Sequence, residues 1–435
     1  MSKNKFSRRH LLKQGISFSA YSSVANLFDG RLLAQGTPSF PPRKKLVWIQ
    51  MSGGWDLLET VNPKIASTSG VDMSYNWSQA HNLGNSGEKI GRWLPNIASH
   101  GSDIVVVRGL NMGTTSHMAG RVYMDTGVLS NSGTVNAASI PAIVASEASA
   151  TIPIIQLSGG SEPQTDRGLF NPVSVVRASN LELYRSMYPQ DSNELAVKNK
   201  LIEYLSRSIS KRGNAALTAD DRLADINTAM DKIGIQFADN VGSSLTLSDS
   251  DKALFENPNL MELRDREVES FALAYKLLKN DVCSCINIGI GGFDTHANQT
   301  RMLEPILNRF DHLLSTFVAQ LKASNMLDDV LIVVYSDFGR TPKVNARNGR
   351  DHWPVGGSML IGGGLDGGRF VGDTDNNMLG VTIDPSNGLA SNTNSAIQLN
   401  PTHLGGSIIE TVLGSEYLTY RTYLQSVAAM TRQKG

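Results

Sequence analysis

Apolar residues come in short unbroken runs between polar, glycine-rich stretches. Lys44–Met51 ("KKLVWIQM") and Asp103–Arg108 ("DIVVVR") read as buried strands, as do "TIPIIQLSGG", "VCSCINIGI", Val330–Tyr335 ("VLIVVY") and "SMLIGGG". Between them the period changes from two to between three and four. "IPAIVASEA" predicts a helix, and Leu404–Leu413 predicts another. Met302, Ile306, Phe310, Leu313, Phe317 and Leu321 mark one helical face, widened by Leu303, Leu307 and Leu314. From about 181 to 279 the texture turns to long charged stretches with helical spacing, which predicts a helical insertion. Strands alternating with helices predict an α/β three-layer sandwich over about 40–430 with a mostly parallel central sheet. Sites in such sheets collect beyond the carboxyl ends of the strands.

The N-terminus departs from this pattern. Ser7-Arg8-Arg9-His10-Leu11-Leu12-Lys13 precedes a weakly apolar run, Gly15–Phe28. The order predicts a twin-arginine signal peptide over residues 1–35, cut near Ala34, and export by the twin-arginine translocase, to the periplasm or otherwise out of the cytoplasm. The other reading of the segment is a basic amphipathic helix. The 435 residues carry 40 basic and 40 acidic side chains, so no net field draws nucleic acid or anionic lipid. No apolar run beyond the signal approaches the ~20 residues of a membrane span. The two cysteines, Cys283 and Cys285, are two apart on a strand, facing one way. They read as small buried residues, or as a metal or redox pair without a partner pair.

Three loops share one design, each following an apolar strand. "GGFDTHANQ" offers Asp294 and His296. "SDFGR…GRDHWP" offers Asp337, Arg340, Asp351 and His352. "GTTSHMAGR" offers Thr114, Thr115, Ser116, His117 and Arg121. Asp294, His296 and His352 make a hard oxygen and two imidazoles, a set suited to zinc and also to iron or manganese. His352 also has a plainer reading, a hydrogen bond to Asp351 or to backbone. Arg340 and Arg121 could clamp an anion through two hydrogen bonds each. His10, His81, His100 and His312 read as ordinary hydrogen-bonded histidines.

"GGFDTHANQ", "SDFGRTP" and "GRDHWP" resemble the exported bacterial family known as domain of unknown function 1501, which is similar in fold to alkaline phosphatases and sulfatases. The resemblance runs from "LVWIQMSGGWD" to "NPTHLGGSIIETVLG". It implies a metal-dependent hydrolase of small anionic phosphate or sulfate esters, with two metals flanking a Ser or Thr nucleophile. One divalent ion, zinc first, would take Asp294, His296 and His352. The second would need an Asp after the first strand, where only Asp56 stands nearby, and an Asp-His pair where this chain has Asp337-Phe338. The second site is thus incomplete. Ser116 is the expected nucleophile, with Thr115 in reserve and Asp337 holding a weak second cation or orienting Ser116. The alternative for Ser116 is a helix N-cap worth ~1 kcal/mol. The rival to the enzyme is a non-catalytic envelope protein keeping the fold and a remnant metal site.

Overall fold

The first apolar run forms strand β1 (Lys45–Ser52), the fifth of eight strands that the described residues place across one sheet. The structure is a computed structural model that describes residues 42–84, 86–130, 137–150, 152–165, 169, 173, 175–178, 244–260 and 263–435. The expected signal peptide and residues 179–243 of the expected insertion lie outside them. The other strands are β2 (Ile104–Asn111), β3 (Ile152–Gln156), β4 (Val175–Arg177), β5 (Cys283–Gly291), β6 (Val330–Tyr335), β7 (Val355–Gly362) and β8 (Arg369–Val371). They lie in the order β8-β2-β7-β6-β1-β5-β3-β4. Among the described strands of this sheet, only β7 runs antiparallel to its neighbours, β2 and β6. The carboxyl ends of β1, β2, β5 and β6 therefore share one edge of the sheet.

Helices cover both faces. α1 (His117–Thr126), α2 (Ile140–Glu147) and α5 (Pro401–Leu413) bury Tyr123, Ile143 and Ile408 with Trp48, Val107 and Val333 on one side. α3 (Asp265–Lys279) and α4 (Gln299–Ala323) bury Phe271, Phe310 and Phe317 with Ile49, Ile288 and Val334 on the other. Each such side chain is worth ~1.5–3 kcal/mol when fully buried. This is the expected three-layer α/β sandwich with a mostly parallel sheet.

The chain's local chemistry sets the helix starts. Ser139 accepts from Ala142 N to cap α2, and Asn400 accepts from Thr402 N and His403 N to cap α5. That cap starts α5 at Pro401, three residues before the expected Leu404. β7 starts at Val355 rather than Ser358, because Gly356 and Gly357, where the register shifts, interrupt the apolar pattern. β4 and β8 have three residues each, too few to show a period. Asp265–Lys279, expected in the insertion, packs against α4 and β5 as part of a covering layer. Cys283 and Cys285 are free and buried, but they do not share a face. Cys283, first on its strand, joins the α3–α4 core, and Cys285 joins the α1–α2–α5 core.

Candidate metal centre

Four loops leave the shared edge and meet around one carboxylate. The turn after β1 carries Gly53 and Gly54, both in the left-handed region (φ 116° and 78°). A Cβ on Gly53 would stand 2.6 Å from Asp294 N, and one on Gly54 would stand 2.7 Å from the Phe338 ring. Glycine is what lets the β1 turn close onto the other loops. Asp294 and His296 follow β5. Asp337 and Phe338 follow β6. His352 pairs with Arg340 in a two-residue antiparallel ribbon, Gly339–Arg340 with His352–Trp353, so the intervening loop returns His352 to the site. His117 opens α1 beyond β2.

Asp294 Oδ1 is the hub. Arg340 Nη2 donates to it at 2.6 Å. His296 Nε2 stands 3.0 Å away, His352 Nε2 3.3 Å and His117 Nε2 3.5 Å. The other ring nitrogens face acceptors. His117 Nδ1 lies 2.7 Å from Asp337 Oδ2, and His296 Nδ1 lies 2.7 Å from Asp351 Oδ1. His352 Nδ1 lies 2.8 Å from the Thr115 carbonyl. A carbonyl or carboxylate oxygen can only accept, so each Nδ1 carries the proton. In its neutral form, each ring would turn a bare Nε2 lone pair inward.

The inward atoms suit a cation. His296 Nε2 and His352 Nε2 are 3.0 Å apart, and His117 Nε2 is buried without a hydrogen-bond partner. One ligand atom from each of His117, Asp294 and His352 falls within 4.8 Å of the others. Converging lone pairs beside a carboxylate repel one another unless a metal ion or protons lie between them. Imidazole nitrogens with one carboxylate oxygen are a donor set for zinc and similar first-row ions. The hydrogen bonds behind each ring fix its orientation, as around bound metals.

Burial pushes the Asp294 carboxyl up, but the hydrogen bond and charge of Arg340, helped by His352 and His117, outweigh it and hold it at about 2. The hydrogen bond to Asp337 lifts the His117 pKa, against burial. His296 holds the Asp351 carboxyl below its usual range. Phe338 is fully buried and packs its ring 4.7 Å from that of His117 and 4.6 Å from that of His352.

The structure gathers Asp294, His296 and His352 as the sequence grouped them, and places other predicted residues differently. Arg340 is no open clamp. Its side chain is wholly buried, with Nε on Gly54 O (2.8 Å), Nη1 on Arg350 O (3.0 Å) and Nη2 on Gly53 O as well as Asp294. Asp56 lies apart from the cluster. It is buried, pairs with Arg350 Nε at 2.9 Å, and accepts from Leu58 N (2.8 Å) and Gln299 Nε2. Asp337 orients His117 rather than Ser116. Its other oxygen faces Gln50 Nε2 and Gly53 N, both at 3.4 Å. Ser116 occupies the N-cap of α1, yet its hydroxyl makes no capping bond and is exposed. Thr115 contributes its carbonyl. Arg121 sits partly exposed in the first turns of α1, its charge acting on buried Asp125. His352 bonds to backbone, while Asp351 bonds to His296. His117, offered by its loop as a potential ligand or catalytic group, entered neither expected metal set. The only signal was its place in a polar loop after a strand.

A family model described as "Protein of unknown function (DUF1501)" matches residues 43–387. No curated protein matches the chain. Several solved structures are similar. The PsFucS1 sulfatase from Pseudoalteromonas sp. is 10% identical with a TM-score of 0.38, over 90% of this chain and 73% of that one. The alkaline phosphatase from the Antarctic bacterium TAB5 is 14% identical with a TM-score of 0.32, over 78% and 96%. An alkaline phosphatase superfamily protein from Vibrio parahaemolyticus is 10% identical with a TM-score of 0.34, over 86% and 73%.

Proposed function

This chain belongs to the DUF1501 family, and we propose from its site that it is a metal-dependent hydrolase of phosphate or sulfate esters, and from Ser7–Lys13 that it is exported. One observation carries the reading: the bare nitrogens of His296 and His352 meet Asp294 Oδ1 within 3.3 Å, each ring held from behind by its own acceptor. These residues would hold one divalent ion. When bound, such an ion polarises an ester oxygen and lowers the pKa of an attacking water or hydroxyl. The chain's own part is to aim the ligands, and to offer as nucleophile the exposed Ser116, next to His117 in the chain. With Arg340 committed to backbone carbonyls, the ion and the partly exposed Arg121 are left to balance the ester's charge.

The test is a panel of aryl phosphate and aryl sulfate esters on zinc-loaded mature protein. Turnover that disappears in His352→Ala and on chelation supports the reading. No turnover with full metal content would overturn it. Ser116→Ala separates nucleophile from cap. A nucleophile loses turnover by orders of magnitude with folding and metal content intact. A cap loses stability alone. Export is tested by Arg8→Lys with Arg9→Lys, which should leave folded precursor in the cytoplasm.

A second reading, a metal-holding envelope protein without catalysis, has its own support. Arg340, Asp56 and Asp337 all spend their charge on internal partners. The same panel decides: tight metal with no turnover on any ester favours it.

A further inference from the structure

Resting on the metal site just proposed, we infer that His117 is a ligand of the same ion, aimed by Asp337, and that the centre is mononuclear with three imidazoles and one carboxylate.

The sequence grouping left Asp337 to hold a second cation. Both of its oxygens are engaged instead, Oδ2 by His117 Nδ1 at 2.7 Å and Oδ1 by Gln50 and Gly53. The carboxylate is nearly sealed from solvent, at 3% side-chain exposure. Phe338 fills the space next to it with a ring that offers no ligand atom. A second ion would have to displace His117 from Asp337 and find its remaining ligands elsewhere.

His117 matches the other two histidines in each respect that defines a ligand here. Its Nδ1 proton is committed to an oxygen, so in the neutral ring Nε2 holds the free lone pair. That Nε2 is buried, makes no hydrogen bond, and faces Asp294 from 3.5 Å. A buried polar atom without a partner is costly, and an ion at the hub would remove that cost. The His117 ring meets the His352 ring edge-on at 4.5 Å, so both nitrogens approach the hub from adjoining directions. Asp337 is then a positioning residue, acting on the ion through His117 as Asp351 does through His296.

The donor set also fixes the class of ion. Three neutral imidazoles favour zinc and neighbouring first-row ions. Magnesium and calcium demand oxygen ligands that the cluster does not supply.

The test titrates metal-stripped mature protein with Zn(II) by calorimetry, with Mg(II) in parallel and Co(II) as the spectroscopic probe. Wild type should take one Zn(II) and give the intense visible Co(II) bands of a four- or five-coordinate site. Mg(II) should bind at least a hundredfold more weakly. His117→Ala should weaken Zn(II) by at least a hundredfold and alter the Co(II) bands. Asp337→Asn, which keeps the side chain's shape, should weaken Zn(II) by roughly 10–100-fold. Circular dichroism of both variants before titration confirms folding. His352→Ala separates the two levels of the argument. If it abolishes zinc binding while His117→Ala and Asp337→Asn bind like wild type, this inference fails and the site stands. If wild type takes no zinc, both fail. Two tightly bound ions, or magnesium as tight as zinc, also overturn it.

Discussion

Arg340 and Asp294 form a one-sided ion pair, in which a guanidinium wholly shielded from solvent donates at 2.6 Å to a carboxylate that is half-exposed. The arginine binds the carbonyls of Gly53, Gly54 and Arg350 as well. It therefore locks the β1 turn, the ribbon and the Asp294 loop into one frame. Arg340→Lys cannot serve these acceptors together, because an ammonium lacks the planar fork. The expected loss is of the order of 3 kcal/mol, from buried carbonyls left without donors. It would appear as a lower urea midpoint. If Arg340→Lys kept full stability and lost only affinity for an anionic ester, the arginine would be a clamp after all.

Asp56 supports the site from further away. It and Arg350 are each about 1% exposed, and Asp56 also holds Gln299 at the start of α4. Removing one member of a buried pair strands the other's charge, at a cost of roughly 3–5 kcal/mol. Asp56→Ala should thus lower the unfolding midpoint sharply while zinc stoichiometry stays as in wild type. A folded Asp56→Ala protein that lost bound metal would return Asp56 to the ligand set.

The sheet was legible in the sequence because buried parallel strands are continuous apolar runs, as Val330–Tyr335 shows with six buried residues in a row. Asp294, His296 and His352 could be grouped because each His lies beside an Asp in a glycine-flanked loop after a strand. The rest depended on contacts far apart in the chain. Arg340 looks like a clamp until the backbone of residues 53 and 54 is seen to fold over it, 286 positions away in the case of Gly54. His117 meets Asp337 across 220 positions. No local pattern distinguishes it from Ser116, which has the more reactive side chain for the expected chemistry. The facing of Cys283 was misread because alternation does not hold at the strand's first residue, which packs into the opposite core from Cys285.

The two thiols should be inert while the protein is folded. Burial pushes Cys283 up to about 12 and lifts Cys285 well above the usual thiol range, so almost no thiolate is present at neutral pH. Native protein should leave a thiol reagent such as Ellman's unreacted, and both cysteines should react in 8 M urea. Rapid labelling of either in native protein would contradict the packing of β5 described above.

Stability of the metal-free protein should respond to pH at two places, with opposite signs. Asp294 is depressed to about 2: burial raises it, and Arg340 more than compensates. Its folded value lies below the ~3.9 of an unfolded aspartate. Its contribution is therefore present above pH ~4 and is lost as pH falls through about 2. His117 moves the other way, lifted by the hydrogen bond to Asp337. Its folded value lies above the ~6.5 of an unfolded histidine. That contribution is present below pH ~6.5 and is lost as pH rises through the raised value. Urea midpoints measured from pH 2 to 9 on chelator-treated protein check both. Asp294→Asn should flatten the acid limb, and His117→Gln should flatten the neutral-to-alkaline limb. Zinc links the two effects. Ligation requires a bare Nε2, so uptake of the ion should expel protons when pH is below the raised His117 value. A pH-stat at pH 6 should record that release in wild type and a smaller one in His117→Gln. Equal proton release from both would mean that His117 does not give up a proton to the ion.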